Sequence, residues 1–216
     1  MENSIKKTSK DIPEEKEKDI PLSYVTFPRK WTFWETYIGK NTKLSYKDLM
    51  KNIFSWNDLI TFYQFWNKYP GNEATKIFFD GNKIKYFFKE KFRISAMNIF
   101  EDGIRPEWED PKNNGGSYLQ FEYQIKIDDI NKFSNRASNA WKKLALNTMA
   151  ENFDGSKYIN GIRFIDKTQF ERGKIIMFRF EIWVNKEISN ENLTKLVNYL
   201  KKELGCEVVE IKDIKC

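Results

Sequence analysis

Between Tyr118 and Ile127 the chain alternates apolar and polar side chains more regularly than anywhere else in its 216 residues. The apolar positions are Leu119, Phe121, Tyr123, Ile125 and Ile127, and the polar positions between them are Gln120, Glu122, Gln124 and Lys126. A period of two places all the apolar side chains on one face of a strand. Such strands belong to antiparallel sheets with one buried face. The segment therefore predicts a sheet that is covered on one side only.

Further strands are predicted where short runs rich in aromatic and β-branched residues lie between turn-forming residues. They cover residues 31–37, a stretch within 46–54, and residues 97–100, 161–167, 174–183 and 207–211. The strands 161–167 and 174–183 are expected to pair. A hairpin is predicted over Ile77–Phe88, because Asp80-Gly81-Asn82 supplies a turn between two aromatic-rich runs.

Three segments show the apolar spacing of an amphipathic helix. The first runs to about Lys68, with Ser55 and Asp58 as a start that resembles a capping box. The second covers residues 138–152, and the third covers 190–204 and ends at Gly205. Helices interspersed among antiparallel strands predict an α+β fold, in which helices cover one face of a single curved antiparallel sheet.

The composition argues against most enzyme classes. The chain has no histidine, so it cannot use an imidazole general base, a Ser-His-Asp triad or a histidine-based zinc site. Cys206 and Cys216 are its only cysteines, too few for a zinc site or a disulfide framework. We therefore expect a protein that is not an enzyme and that needs no metal or cofactor.

Charge and hydropathy indicate the cellular compartment and the domain organisation of the protein. No apolar run reaches the roughly 18 residues of a membrane span, and the N-terminus lacks the apolar core of a signal peptide. These features predict a protein of the cytoplasm, with the nucleus as an alternative. Residues 1–23 are highly charged and are expected to be disordered, which leaves 24–216 as one domain. The net charge of +6 favours a polyanionic partner mildly, since a general enrichment in Lys would produce the same charge.

The segment Asp102–Tyr118, DGIRPEWEDPKNNGGSY, combines turn-forming residues with one Trp-Glu pair. Trp108 is expected on a loop, where its indole can stack on a base, more strongly if that base is cationic. The Glu109 carboxylate can accept two parallel hydrogen bonds, which matches the adjacent ring N–H and amine of guanine. The alternative is that the indole folds back over the core.

This segment resembles the cap-binding loop of the eukaryotic translation initiation factor 4E family, in which the Trp stacks on 7-methylguanine and the Glu grips the guanine edge. The opening KWTFW, the helical Trp66, the interval from Trp141 to Phe153 and the Asn160-Gly161 turn are also similar to that family. The resemblance implies a cup-shaped sheet with three helices on its convex face, and 24–216 as a cap-binding domain.

The resemblance also implies roles for further residues around the cap. Tyr46 is the favoured first stacking residue, with Tyr37 and Trp56 as weaker candidates. Lys167 and Arg179 match the phosphate-binding positions, and Arg163 is the alternative to Lys167. Trp183 either lies near the methyl group of the base or packs in the core. For each of the three cations, the alternative is a solvated residue on a strand.

A second set of residues resembles the dorsal surface of the family, which accepts a helix with a Tyr-x4-Leu-apolar motif. The set consists of Trp66, Leu146, Lys142, Tyr24 and Val25, and Lys142 stands where a Leu is usual. Ordinary core packing is the alternative for Trp66 and Leu146. Three other tryptophans, Trp31, Trp34 and Trp141, are expected in the core.

The leading hypothesis is a monomeric, non-enzymatic receptor that binds the 7-methylguanosine cap of messenger RNA and recruits the messenger to a scaffold initiation factor. One alternative is a cap-binding paralogue that represses translation, because Lys142 changes the dorsal surface. Such a paralogue would lack affinity for the scaffold. The proteins expected to bind the dorsal surface are a scaffold initiation factor or an inhibitory binding protein, each with a Tyr-x4-Leu-apolar helix. The other alternative is a general RNA or protein-interaction module without cap selectivity, because the first stacking aromatic is not unambiguous.

Overall fold

Seven strands form one open sheet, with helices on one of its faces. The computed structural model describes residues 25–39, 43–69, 73–81, 83–87, 91–126, 130–168 and 175–215. The predicted N-terminal tail lies outside these ranges. The strands are β1 (Thr26–Gly39), β2 (Met50–Asp58), β3 (Phe79–Asp80), β4 (Lys83–Ile84), β5 (Phe92–Glu101), β6 (Ser117–Lys126), β7 (Ile159–Asp166), β8 (Ile175–Val184) and β9 (Glu210–Asp213). The helices are α1 (Leu59–Lys68), α2 (Thr75–Phe78), α3 (Ile130–Met149) and α4 (Asn190–Leu204), with a 3₁₀ turn at Ser156–Tyr158.

The sheet order is β2-β1-β5-β7-β8-β6-β9, and every neighbouring pair is antiparallel. Strands β3 and β4 form a separate two-stranded ribbon. Register shifts interrupt the pairing of β1 with both of its neighbours, and such bulges bend a strand. The predicted pairing of residues 161–167 with 174–183 is confirmed by the β7–β8 ladder.

Alternation along β8 separates the two faces of the sheet. Phe178, Phe180 and Ile182 are fully buried in the main core, which lies between the sheet and the helices. The Trp141 ring of α3 lies 5.8 Å from Phe164 and 6.5 Å from Phe180. The intervening residues of β8 point to the opposite, concave face. The one-sided cover predicted from Tyr118–Ile127 is therefore found in the fold.

Asp58, one part of the predicted start, caps the N-terminus of helix α1. The Asp58 carboxylate accepts a hydrogen bond from the Thr61 backbone N–H at 2.8 Å. The prediction that Ser55 also belongs to the helix start was wrong, because Ser55 lies in β2 and pairs with Thr32 across the sheet. Residues 46–49, predicted within a strand, instead form a turn before β2.

Other boundaries also differ from the predictions, and β1 and β5 each begin five residues earlier than expected. Ile77 and Phe78 were expected in a strand but lie in α2, so the hairpin shrinks to β3 and β4 around Gly81, whose φ is +58°. A short apolar run cannot distinguish a buried strand from a buried helical turn. Helix α3 begins eight residues before the predicted Ser138, because it extends past the apolar spacing into exposed Asn135 and Arg136. The last strand covers Glu210–Asp213 rather than 207–211.

The hydrogen bond at the N-terminus of α1 leads to a prediction about stability. Asp58→Ala should lower the free energy of unfolding by about 1 kcal/mol, because the Thr61 N–H loses its acceptor. The same hydrogen bond lowers the pKa of Asp58 below its ordinary value of 3.8. The stabilisation is therefore complete above the unfolded-state pKa and is lost as the pH falls through the folded-state pKa. Urea unfolding at pH 7 and pH 3 measures both effects.

Asp58→Asn is the matched control, since an amide oxygen still accepts the Thr61 hydrogen bond. It should keep most of the stability at pH 7 and show little of the pH dependence. Equal stability of the wild-type protein and Asp58→Ala at pH 7 would contradict the assigned cap.

Candidate ligand-binding cleft

The concave face contains a cleft of about 320 Å³ between the loop after β5 and the turn before β2. Its lining consists of Tyr46, Pro106, Glu107, Trp108, Glu109, Arg163 and Trp183. Five of the predicted cap-binding residues therefore meet in one place: Tyr46, Trp108, Glu109, Arg163 and Trp183. They come from two loops and two adjacent strands, so only the fold brings them together.

A buried asparagine holds the loop that carries the Trp-Glu pair. The Asn113 side chain is fully buried and donates to the backbone carbonyls of Arg105 and Glu107, both at 2.8 Å. Its oxygen accepts from the Asn160 amide at 3.0 Å, which ties the loop to β7. Asp110 accepts hydrogen bonds from two further backbone N–H groups of the loop. The cleft wall is thus fixed by its own hydrogen bonds rather than by a ligand.

The two glutamates of this loop, Glu107 and Glu109, point in opposite directions. Glu107 is only 4% exposed and forms ion pairs with Arg105 at 2.6 Å and Lys47 at 3.7 Å. Trp108 is 51% exposed, and Glu109 is also exposed. No ion pair joins Glu109 to another of the described residues. The expectation that the indole is accessible, rather than folded over the core, agrees with this exposure.

Trp183 forms the buried floor of the cleft. Its indole N–H donates to Glu181 at 3.0 Å, and its ring packs edge-on against Phe100 at 5.5 Å and parallel to Tyr118 at 6.0 Å. Gly161 makes room for this floor, because a Cβ there would lie 2.3 Å from the Phe100 ring. Trp183 packs against Phe100, as the core interpretation predicts, and it also lines the cleft; its place near the methyl group of a base stays a prediction.

Tyr46 stands in the opposite wall and is 44% exposed. Its hydroxyl accepts a hydrogen bond from Arg163 at 3.1 Å and donates to the Pro106 carbonyl at 3.4 Å. The two weaker candidates for the first stacking residue do not line the cleft. The Tyr37 hydroxyl donates to Glu35, and Trp56 is 2% exposed in the core beneath the helices.

Lys167 and Arg179 do not line the cleft. Arg179 donates twice to the Glu122 carboxylate, at 2.8 and 2.7 Å, and borders a separate groove of about 640 Å³ beside β6. Lys167 is exposed directly after β7, where its backbone N–H pairs with Met177. Of the three residues predicted to bind phosphate, Arg163 therefore is the one that lines the cleft.

The residues predicted to bind a partner helix differ in exposure. Trp66 is 1% exposed and packs between Phe62 and Trp141, as ordinary core packing predicts. Leu146 is half-buried, and the Lys142 ammonium lies 5.5 Å from the Tyr63 ring. The Val25 carbonyl accepts from the Leu59 N–H at 3.0 Å. Tyr24 lies outside the described residues.

Trp31 and Trp141 are fully buried, as expected. The core assignment of Trp34 was wrong in part, because its ring is half-buried and lies 5.8 Å from the Arg105 guanidinium, away from the helix-side core. Sequence reasoning also missed Glu181, Asn98 and Phe100. For Glu181 a signal was present, because a period of two places it on the same face as Trp183.

The architecture defines an α+β cup: one open antiparallel sheet, helices on its convex face and an aromatic cleft on its concave face. The chain belongs to the eukaryotic initiation factor 4E family, whose sequence profile matches residues 26–212. The family assigned from the loop motif is thereby confirmed. Members of this family are translation factors and not enzymes. No helix within the described residues is both long and apolar enough to cross a membrane.

Curated relatives agree with this assignment. The initiation factor 4E of Candida albicans is 26% identical over 199 residues, which are 92% of this chain and 79% of the relative. Factor 4E-2 of Schizosaccharomyces pombe is 28% identical over 178 residues. The chain spans only 60% of this S. pombe factor and 58% of the factor 4E of Eremothecium gossypii.

Solved structures confirm the fold. The structure of Ascaris suum factor 4E-3 with an m7G cap matches with a TM-score of 0.62 at 16% identity, over 88% of this chain and 91% of that chain. A schistosome factor 4E complexed with m7GpppG and 4E-BP matches with a TM-score of 0.59 at 15% identity, over 88% of both chains.

Proposed function

We propose that this protein binds the 7-methylguanosine cap of messenger RNA and presents the messenger to a scaffold protein during translation initiation. The observation that carries the proposal is the meeting of the exposed Trp108 and Tyr46 rings with the exposed Glu109 carboxylate in one cleft. The family and the cap-bound structures that share the fold support it. In this role the protein acts as a single copy in the cytoplasm.

The chemistry of the cleft suits a flat cationic base. Two aromatic faces offer stacking, which is strengthened by a positive charge on the base. Glu109 offers two acceptor oxygens, and guanine presents two adjacent donors on one edge. The remainder of the lining is apolar or already paired, since Glu107 is bound by Arg105. Base identity is therefore read by Glu109.

The phosphate bridge of the cap needs cations outside the slot. Lys167 and Arg179 are our candidates, as the resemblance implies. Lys167 is exposed and can meet a phosphate directly. Arg179 first has to exchange the Glu122 carboxylate for a phosphate oxygen. The contribution of Arg179 should therefore be the smaller of the two.

The convex face is the proposed site for a partner helix. Leu146 and Lys142 lie one turn apart on α3 and are half-buried, which leaves part of each side chain accessible. The schistosome structure and one of Caenorhabditis elegans factor 4E-3 contain the binding proteins 4E-BP and Mextli. The second candidate function, a cap-binding repressor, is favoured by Lys142, since a charge on this surface weakens an apolar helix contact. Capture by a Tyr-x4-Leu peptide supports the initiation role, and its absence supports the repressor.

Retention on 7-methylguanosine resin tests the proposed function. We expect the protein to bind this resin and to elute with free 7-methylguanosine triphosphate. A resin carrying unmethylated guanosine triphosphate should retain much less. Equal retention on both resins would instead indicate a general nucleotide- or RNA-binding module.

Glu109→Gln should weaken binding of 7-methylguanosine triphosphate by roughly 10-fold, because a charge-assisted hydrogen-bond pair is replaced by a weaker neutral one. Titration by tryptophan fluorescence measures the dissociation constant. Glu187→Gln makes the same change on an exposed turn after β8 and serves as the control. An unchanged dissociation constant for Glu109→Gln would remove Glu109 from the recognition of the base.

A further inference from the structure

Arg163 lies at the centre of the concave face, where the sheet register places three polar residues side by side. On β7 it is paired with Asn98 of β5 on one side and with Glu181 of β8 on the other. Its Nε donates to Asn98 at 2.8 Å and its Nη1 to Glu181 at 3.2 Å. The side chain is only 12% exposed. The guanidinium is therefore held rigidly by two neighbouring strands.

The remaining nitrogen of this guanidinium points to Tyr46. Nη2 donates to the Tyr46 hydroxyl at 3.1 Å, and that hydroxyl in turn donates to the Pro106 carbonyl at 3.4 Å. The Tyr46 ring itself is 44% exposed and belongs to a turn, so it has little packing to fix it. Its orientation depends on its hydroxyl, which links the turn to the sheet and to the loop of Trp108.

We propose that Arg163 is a positioning residue, which acts through the Tyr46 hydroxyl to hold the Tyr46 ring as the second wall of the cleft before a ligand binds. The inference rests on the proposed cap-binding function and adds to it a residue that acts without touching the ligand. A ring fixed in advance loses less conformational freedom on binding, and this raises affinity.

The same contacts argue against Arg163 as a phosphate ligand, the role that the sequence left open for it. All three guanidinium nitrogens already donate to protein oxygens, and the Glu181 carboxylate, 6% exposed, balances the charge. The guanidinium also lies 5.4 Å from the Trp183 ring, on the floor of the cleft. Three of the five guanidinium N–H groups are thus used, and a phosphate would have to compete with Glu181 for the charge of this side chain.

Two ligands and a double-mutant cycle test the inference. The ligands are 7-methylguanosine, which has no phosphate, and its 5′-triphosphate. Tyr46→Phe keeps the ring but removes the hydroxyl. It should weaken the binding of both ligands equally, by roughly 3- to 10-fold. In an Arg163→Met background the same Tyr46→Phe change should have a much smaller effect, because the hydrogen bond from Arg163 is already lost and only the longer one to Pro106 remains. Tyr158→Phe, away from the cleft, is the control for removal of a hydroxyl.

Each contrary result has a separate meaning. Equal losses from Tyr46→Phe in both backgrounds would show that Arg163 does not act through Tyr46, and would overturn the inference. If Arg163→Met lowers the affinity for the triphosphate alone, Arg163 binds the phosphates, and this result would also overturn the inference. If Arg163→Met does not fold, unchanged affinity of Tyr46→Phe for both ligands overturns it. Failure of the wild-type protein to bind either ligand would refute the proposed function itself.

Discussion

Trp108→Ala is expected to weaken binding of 7-methylguanosine triphosphate by about 30-fold or more. Stacking of a base on an aromatic side chain contributes about 1–3 kcal/mol, and a positive charge on the base adds about 1 kcal/mol or more. Trp108 is 51% exposed in a loop that Asn113 and Asp110 hold in place. Its truncation should therefore remove binding without unfolding the loop. Isothermal titration calorimetry measures the dissociation constant, and thermal melting measures the stability.

Trp108→Phe is the matched variant, because it keeps an aromatic face of smaller area. It should recover most of the lost affinity. Val208→Ala removes another exposed apolar side chain, which is 68% exposed and borders the separate groove beside β6, and should leave the affinity unchanged. Wild-type affinity in Trp108→Ala would mean that the ligand does not stack on this indole, and the proposed cleft would lose its main contact.

Gly161→Ala is expected to lower the free energy of unfolding by about 1–3 kcal/mol, the usual cost of overpacking a core. The new Cβ would lie 2.3–2.4 Å from three atoms of the Phe100 ring, which is fully buried and supports Trp183. For a chain of this size the melting temperature should fall by roughly 3–10 °C. Movement of Phe100 also disturbs the cleft floor, so ligand affinity should fall with it.

Phe100→Leu provides the control for this variant. Alone it removes ring volume and destabilises the cleft floor. Combined with Gly161→Ala it gives the new methyl group space, so the double variant should be more stable than the sum of the two single changes predicts. Strictly additive losses would show that the methyl group is accommodated elsewhere and that Gly161 is not required by Phe100.

The fold was predictable from the sequence wherever a local period was long enough. The alternation along β6 and the spacing in α4 gave both elements to within one residue, because each buries a single face. The prediction of a strand at Ile77 and Phe78 failed because the run of three apolar residues to which they belong, residues 77–79, is too short to show a period. The prediction for Ser55 failed because its partner, Thr32, lies on another strand, and no local pattern in the sequence reveals that pairing.

The candidate site was also predictable only in part. Trp108 and Glu109 were found because one loop carries both the chemistry and the turn residues that expose it. The contacts of Arg163 were not found, because Asn98 and Glu181 become its neighbours only through the register of three strands. Arg179 was expected near the cap by its spacing from Trp183, yet its ion pair with Glu122 depends on the pairing of β6 with β8.

The amide of Asn113 has a consequence for how this protein can change over evolutionary time. It holds the loop through the carbonyls of Arg105 and Glu107 and through Asn160, and these contacts use none of the side chains that face the ligand. Point mutations at Trp108 or Glu109 can therefore alter what is recognised while the scaffold persists. The contacts that hold the loop are therefore separate from the side chains that would read the base.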